Sequence, residues 1–485
     1  MTTVRTPDWV KDAVFYQIFP DRFGMSQALP KPLNLEPWDA PPTRHGLKGG
    51  DLLGVVEKMN YLQDLGITAI YFNPVFQSAT NHRYHTYDYY RVDPLLGGNE
   101  ALHTLLDEAH RRNIRIVLDG VFNHASRGFY QFHHIMENEA NSPYINWFTI
   151  KGFPLNAYDE NKPPNYAAWW NLHALPKFNT QTRAVREFLW NVASYWVQFG
   201  IDGWRLDVPE EINNPSFWQE FCRRVRDANP EAYLVGEIWH DASEWLRGDQ
   251  FDAVMNYPFA KACIGFFIER AIDDNLVQGM GYAPIPHIGV TEFADTIERL
   301  LNIYKSDVCY NQLNLLDSHD TARFLTLAKS DESALRLATL FQMTYPGAPL
   351  IYYGNEIGME GGRDPDCRRA FPWDESRWNV SLRDFVKRCV ALRQTYPALR
   401  CGKYTRLHAA DDVYAFGRHL GDETLVIAFN VARTVRTPEI QVNGYLEDGL
   451  RLRDVWSSAF VRVVGGVLRD IKLPPRSGAV WMVER

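Results

Sequence analysis

Gly200-Ile-Asp-Gly-Trp-Arg-Leu-Asp-Val208 is an apolar strand pattern interrupted by charges. Ile201, Trp204, Leu206 and Val208 are β-prone apolar positions, whereas Arg205 and Asp207 share one side by the period of two and should face one pocket. Upstream, Val185, Phe188, Leu189, Val192, Trp196 and Phe199 recur at three- and four-residue spacing, and Gly200 stands where a helix end favours a left-handed residue. The predicted unit is helix, glycine stop, buried strand. Its aspartate is either a carboxylate kept ionised by the neighbouring arginine or half of an internal salt bridge, and the stretch alone leaves both open.

The same rhythm runs through most of the chain. Strands are predicted at 13–19, 67–72, 114–119, 201–207, 232–237, 251–255, 311–316 and 349–353, with helices at 52–65, 99–112, 183–199 and 216–227. Eight short apolar strands, most separated by helices, point to parallel βα units, and a closed right-handed barrel is the commonest way to bury eight of them; a doubly wound open sheet is the alternative. The expected fold class is α/β, a (β/α)8 TIM barrel. Two stretches break the rhythm. After His124 an aromatic, Pro- and Asn-rich segment runs to about Asn171, too long for an ordinary loop. After about Cys401 helical patterns give way to Val413-Tyr-Ala-Phe416, Thr424–Phe429 and Ala479–Val483 among turn residues. The expected domains are a barrel (1–122 and 172–400), a small inserted subdomain after strand three (123–171) and a C-terminal antiparallel β-sandwich (401–485).

The formal charge of −8 is spread along 485 residues without a basic run, which argues against nucleic-acid or anionic-membrane partners. No apolar run can span a bilayer, and nothing at the N-terminus looks like an export signal. Six cysteines without paired spacing fit reduced thiols, so a cytoplasmic protein is expected. Aromatic content is 14%, with 15 Trp and 24 Tyr, and such rings serve both cores and sugar binding.

On this map Asp119, His124, Arg205, Asp207, Glu237, His319 and Asp320 all fall at or just past the C-terminal ends of strands, the active-site rim of a barrel. Each has a structural explanation alone, such as a loop cap or an N-cap. Together, carboxylates from three strands with an arginine and two histidines suit glycosidic bond cleavage, in which one carboxylate attacks or steadies water and another protonates the leaving oxygen. A metal-dependent barrel hydrolase is the rival, but it wants paired histidines at the end of strand one, where Pro20, Asp21 and Arg22 stand.

DGVFNH (119–124), GWRLDVPEE (203–211), GEIW (236–239) and LLDSHD (315–320) resemble the four signature regions of the α-amylase family of glycoside hydrolases, in order and spacing. LPKFN (175–179) is similar to a further region of its neopullulanase, cyclomaltodextrinase and maltogenic-amylase branch. The resemblance implies that Asp207 is the nucleophile, Glu237 the general acid/base and Asp320 the carboxylate that stabilises the transition state. Arg205 would orient Asp207, and His124 and His319 would bind hydroxyls of the sugar being cleaved. Tyr84 would stack beneath its ring with His82 alongside, Asp364 and Arg368 would close the same subsite, and Trp239 would carry the leaving-group sugar.

The resemblance therefore implies a retaining hydrolase of α-1,4 bonds, with α-1,6 bonds left open, in maltooligosaccharides, cyclodextrins or pullulan. The alternatives are a transglycosylase using the same residues and a non-catalytic carbohydrate-binding relative. No cofactor is required by this chemistry; Asn123 occupies a calcium-binding position of the wider family, so a structural calcium stays open. The branch normally carries an N-terminal β domain that takes part in dimer formation, whereas here strand one begins almost at once, and a homodimer also stays open. His85 replaces a usual Asp, and Pro209-Glu210 a usual Ala-Asn. The inserted aromatics Trp147, Phe148, Phe153, Tyr158, Tyr166, Trp169 and Trp170 are expected to wall the cleft and favour small substrates.

Overall fold

The structure, a computed structural model, describes residues 6–484. The chain divides into two compact units: Phe15–Met255 with Arg368–Trp373 is the body of one, and Asn256–Cys367 with the chain from Asp374 onward is the body of the other.

The first unit holds six parallel strands: β1 (Phe15–Ile18), β2 (Ala69–Phe72), β3 (Arg115–Gly120), β4 (Gly203–Leu206), β5 (Tyr233–Gly236) and β6 (Ala253–Val254). They lie side by side in chain order. The helix before β4 spans Arg183–Phe199 and buries Val185, Leu189, Trp190, Val192, Ala193, Trp196 and Val197. Gly200 stops it at φ 125°, a backbone geometry open to glycine, and its N–H returns to Trp196 O at 3.1 Å. The chain then enters β4 through Asp202, whose carboxylate accepts from Ile116 N–H and Arg115 at 2.8 Å each and holds β4 against β3. The helix predicted over 52–65 is two, Leu52–Glu57 and Met59–Leu65, because the Lys58 N–H closes the first on Val55 O and its backbone leaves helical geometry.

The inserted segment has a core of rings. Phe132 meets Phe148 edge-on at 5.0 Å and Tyr166 at 4.8 Å, and Phe148 stacks on Phe178 at 5.5 Å. Isolated bridges tie it together as far as Phe178. Phe148 and Tyr166, expected on a cleft wall, are instead buried in this core, whereas Tyr158 and Trp170 are exposed.

The second unit holds two more parallel strands, β7 (Leu313–Leu315) and β8 (Ala348–Tyr352), and eight antiparallel strands between Lys403 and Glu484. The antiparallel sheet surrounds one apolar cluster that includes Val426, Ala428, Leu452, Val463, Leu468 and Trp481. Arg393, fully buried, donates to the carbonyls of Met343, Tyr345, Leu399 and Gly347 at 2.6–3.3 Å, satisfying chain ends that no helix or strand pairs. Among the described residues no helix is long and apolar enough to cross a membrane.

Gly203 lies opposite Tyr233, and a Cβ there would sit 2.2 Å from Tyr233 O, which is backbone and cannot swing away. Gly203→Ala is expected to cost about 2 kcal/mol or more by prising β4 from β5. Thermal unfolding checks it; a melting temperature equal to wild type would mean the strands part freely.

Candidate active site

The centre of the first unit is Arg205, fully buried in β4. Its Nη1 donates to Asp119 Oδ1 at 2.8 Å and to Asp207 Oδ1 at 2.9 Å, and Nη2 pairs with Glu237 Oε2 at 2.9 Å. The sheet produces this. Asp119 on β3 is in register with Arg205, Asp207 lies two residues on along the same face, and Glu237 follows the last residue of β5. All three carboxylates are buried.

Each is held by further donors. Asp119 Oδ2 accepts from Tyr71 OH at 2.7 Å and Tyr84 OH at 2.9 Å. Behind them Gln17 Nε2 donates to Asn73 Oδ1, and Asn73 Nδ2 donates to Tyr84 OH at 3.1 Å. Glu237 accepts from Val208 N–H at 3.1 Å and from Trp239 Nε1 at 3.1 Å. Val208 reaches it from a left-handed backbone (φ 36°, ψ 52°), costly for a β-branched residue and a mark of a constrained site. The loop that holds Val208 is pinned from both sides: Glu210 pairs with His240 at 2.8 Å, and Glu211 with Lys177 at 2.6 Å.

Burial pushes the Asp207 carboxyl well above its ordinary range; Arg205 opposes this, while Glu237 and Asp119 add to it by repulsion. Burial likewise raises Asp119 to about 6 against the pull of Arg205 and the tyrosines. Burial works against the charge on Arg205, but the carboxylates of Asp119 and Glu237 outweigh it and keep the guanidinium charged. Three carboxylates on one cation cannot all be ionised at low cost, which favours a proton held within the cluster, as a general acid needs.

His124 is fully buried, its Nδ1 is 3.2 Å from Asn123 Nδ2, and burial lowers it to about 3, so it is neutral. His85 is lowered to about 4 by burial and then by Arg127 and Arg44, and its ring meets His82 edge-on. His82 Nδ1 accepts from Tyr84 N–H at 3.2 Å. Asn123 Oδ1 is buried without a partner, but a calcium site wants about six to eight oxygens, usually with carboxylates. Among the described residues no three His, Cys, Asp or Glu side chains gather as a metal site.

In the second unit His319 and Asp320 follow β7, with His319 Nε2 3.1 Å from Asp320 Oδ2. Their turn is fixed from below: Asp317 accepts from Phe324 N–H and Asn355 Nδ2, and Arg323 donates to the carbonyls of Tyr353 and Cys367. Asp364 is exposed in this unit, whereas Arg368 belongs to the first and lies over the Phe19 ring at 5.4 Å. Sequence reasoning missed Tyr71, Asn73, Gln17, Val208 and Lys177. Gln17 inside Phe-Tyr-Gln-Ile, and Tyr71 with Asn73 on one side of β2, carried a period-two signal that could have found them.

Parallel strands that end in paired carboxylates around a buried arginine define a carboxylate-dependent glycosidase. A model of the α-amylase catalytic domain matches residues 17–387, and one of the neopullulanase-like C-terminal domain matches 404–482. A cyclomaltodextrinase of Geobacillus thermopakistaniensis is 44% identical over 88% of this chain and 70% of its own length. Among solved structures, a Thermus thermophilus protein superposes with a TM-score of 0.93 at 48% identity over 98% of this chain and 99% of the other. The Nostoc punctiforme debranching enzyme superposes at 0.91 with 48% identity over 99% and 100%. The chain belongs to the α-amylase family of glycoside hydrolases, and its fold is the (β/α)8 barrel with an antiparallel β domain at the C-terminus.

The raised Asp119 carboxyl yields a pH prediction. With the folded value near 6 against an ordinary 3.8, its contribution to stability is fully present below about pH 4 and is lost as pH rises through about 6. The stability of the wild type relative to Asp119→Asn should therefore fall by about 2–3 kcal/mol between pH 4 and pH 7 in urea unfolding. A difference that grows with pH would show a carboxylate held charged by Arg205 instead.

Proposed function

We propose that the enzyme is a retaining hydrolase of α-1,4 and α-1,6 glucosidic bonds in maltooligosaccharides, cyclodextrins and branched dextrins. The observation that carries this reading is the pair of buried carboxylates, Asp207 and Glu237, on the two terminal nitrogens of one guanidinium. That sharing favours the closer carboxylate spacing of retaining enzymes, about 5–5.5 Å, over the gap of about 6.5–9.5 Å that leaves room for water in inverting ones. The α-1,4 and α-1,6 range is supported by the similarity to a cyclomaltodextrinase and to a debranching enzyme.

In the first step Asp207 Oδ attacks the anomeric carbon, the glycosidic C–O bond breaks, and Glu237 gives its proton to the departing oxygen. In the second, Glu237 takes a proton from water, whose oxygen attacks the same carbon while the bond to Asp207 breaks. Tyr84, anchored through its hydroxyl, offers a ring for the sugar, and neutral His124 offers a donor to a hydroxyl. The resemblance of the motifs supports Asp320 and His319 at the transition state, Asp364 and Arg368 at the sugar being cleaved, and Trp239 at the leaving-group sugar. The carboxylates supply the chemistry without a cofactor. Six free cysteines, five of them buried, support a cytoplasmic setting, and a homodimer is part of the proposal.

Asp207→Asn and Glu237→Gln should each lower turnover on maltooligosaccharides by roughly 10³-fold or more with the fold retained, since an amide neither attacks nor gives a proton. More than a few per cent of residual activity would remove the assignment. Proton NMR in the first minutes should show the α-anomer before the β-anomer; the reverse order would mean inversion. Specific activity on β-cyclodextrin should exceed that on soluble starch, with light scattering giving a dimer mass. A monomer that digests starch at least as fast would defeat the small-substrate reading.

A further inference from the structure

Trp170 is 73% exposed and held at φ 49°, ψ 27°, with Asn171 also left-handed at φ 57°. A tryptophan is a poor occupant for either an exposed position or a left-handed backbone, and here it has both. The turn is well built: Trp169 N–H bonds Leu175 O at 3.0 Å, and Leu172 N–H bonds Trp169 O at 2.9 Å. Its effect is to lay the Trp170 ring on Trp169, with centroids 4.4 Å apart and planes 14° from parallel. Trp169 in turn stacks on His124 at 5.2 Å and 13°. Three near-parallel rings thus run from a buried residue of the catalytic rim to the surface. His124 is neutral, so the stack carries no charge. Trp169 Nε1 is buried and finds no acceptor within the protein.

We propose that the exposed face of Trp170, backed by Trp169, forms an outer sugar-binding platform that takes a glucose unit of the α-glucan chain beyond those flanking the cleaved bond. The apolar face of a glucose ring lies on a flat, uncharged indole, and its hydroxyls reach the neighbouring polar groups. Continuity with His124 selects the occupant: a chain lying over the catalytic rim is led along the stack. The inference rests on the α-glucan reading above and adds to it a preference for chains long enough to reach Trp170.

The test compares kcat/KM for maltoheptaose and maltotriose in wild type, Trp170→Ala and Trp170→Tyr. The heptaose-to-triose ratio should fall about fivefold in Trp170→Ala, through KM, and return to within about twofold in Trp170→Tyr. A ratio within twofold of wild type in Trp170→Ala overturns the proposal, as does light scattering that shows a wild-type dimer becoming monomeric with the ratio unchanged, since a second copy would then cover the ring. If Trp170→Ala does not fold, oxidation by N-bromosuccinimide in Asp207→Asn decides: protection of the Trp169–Trp170 peptide by maltoheptaose supports the platform, and none overturns it. Full activity of Asp207→Asn would instead strike the catalytic reading, so the two failures are distinct.

Discussion

The site depends on one buried cation. A guanidinium inside a parallel sheet is tolerable only where anions surround it, and three carboxylates around it are tolerable only because it is there. Arg205 meets Asp119, Asp207 and Glu237 at 2.8–2.9 Å, so removing it would leave three buried carboxyl groups without their common counter-charge. A lysine could not replace it, because one ammonium point charge lacks the planar fork that meets several carboxylates at fixed angles. The same interaction fixes the local geometry. Asp119, Arg205 and Asp207 share a face through strand period and register, and Gly203 lets β4 and β5 approach closely enough to bring Glu237 within reach.

The parts of the structure written in local pattern were legible in the sequence. The helix at 183–199 and the stop at Gly200 follow from apolar spacing and one permissive glycine, and the positions of Asp207 and Glu237 follow from where strands end. The signature motifs gave the family, but the contacts that tune the site were not readable in the same way. Tyr71 looks like a core residue of β2 until β3 brings Asp119 beside it, and Glu210 looks like a solvated charge until His240 is brought opposite. Aromatics of the inserted segment were misread for a related reason. Composition cannot distinguish rings that make a small core, such as Phe148 and Tyr166, from rings that face outward, such as Trp170.

The loop after β4 shows how a constrained backbone serves the chemistry. Val208 must turn left-handed to aim its N–H at Glu237 Oε2, a conformation that would relax in a free chain. Pro209 fixes its own φ directly after Val208, and the adjacent Glu210 and Glu211 are anchored to different elements, His240 after β5 and Lys177 in the inserted segment. Exposed ion pairs of this kind add little to global stability, but several acting on one short turn restrict where it can go. Pro209 and Glu210 thus bear on how the loop is held as well as on what it presents. Because Glu237 also accepts from Trp239, whose neighbour is His240, the same pair links the backbone donor and the indole donor of one carboxylate. Motion of this loop would alter both bonds together, so the two donors to Glu237 and the position of the Trp239 ring are coupled through the Glu210–His240 pair.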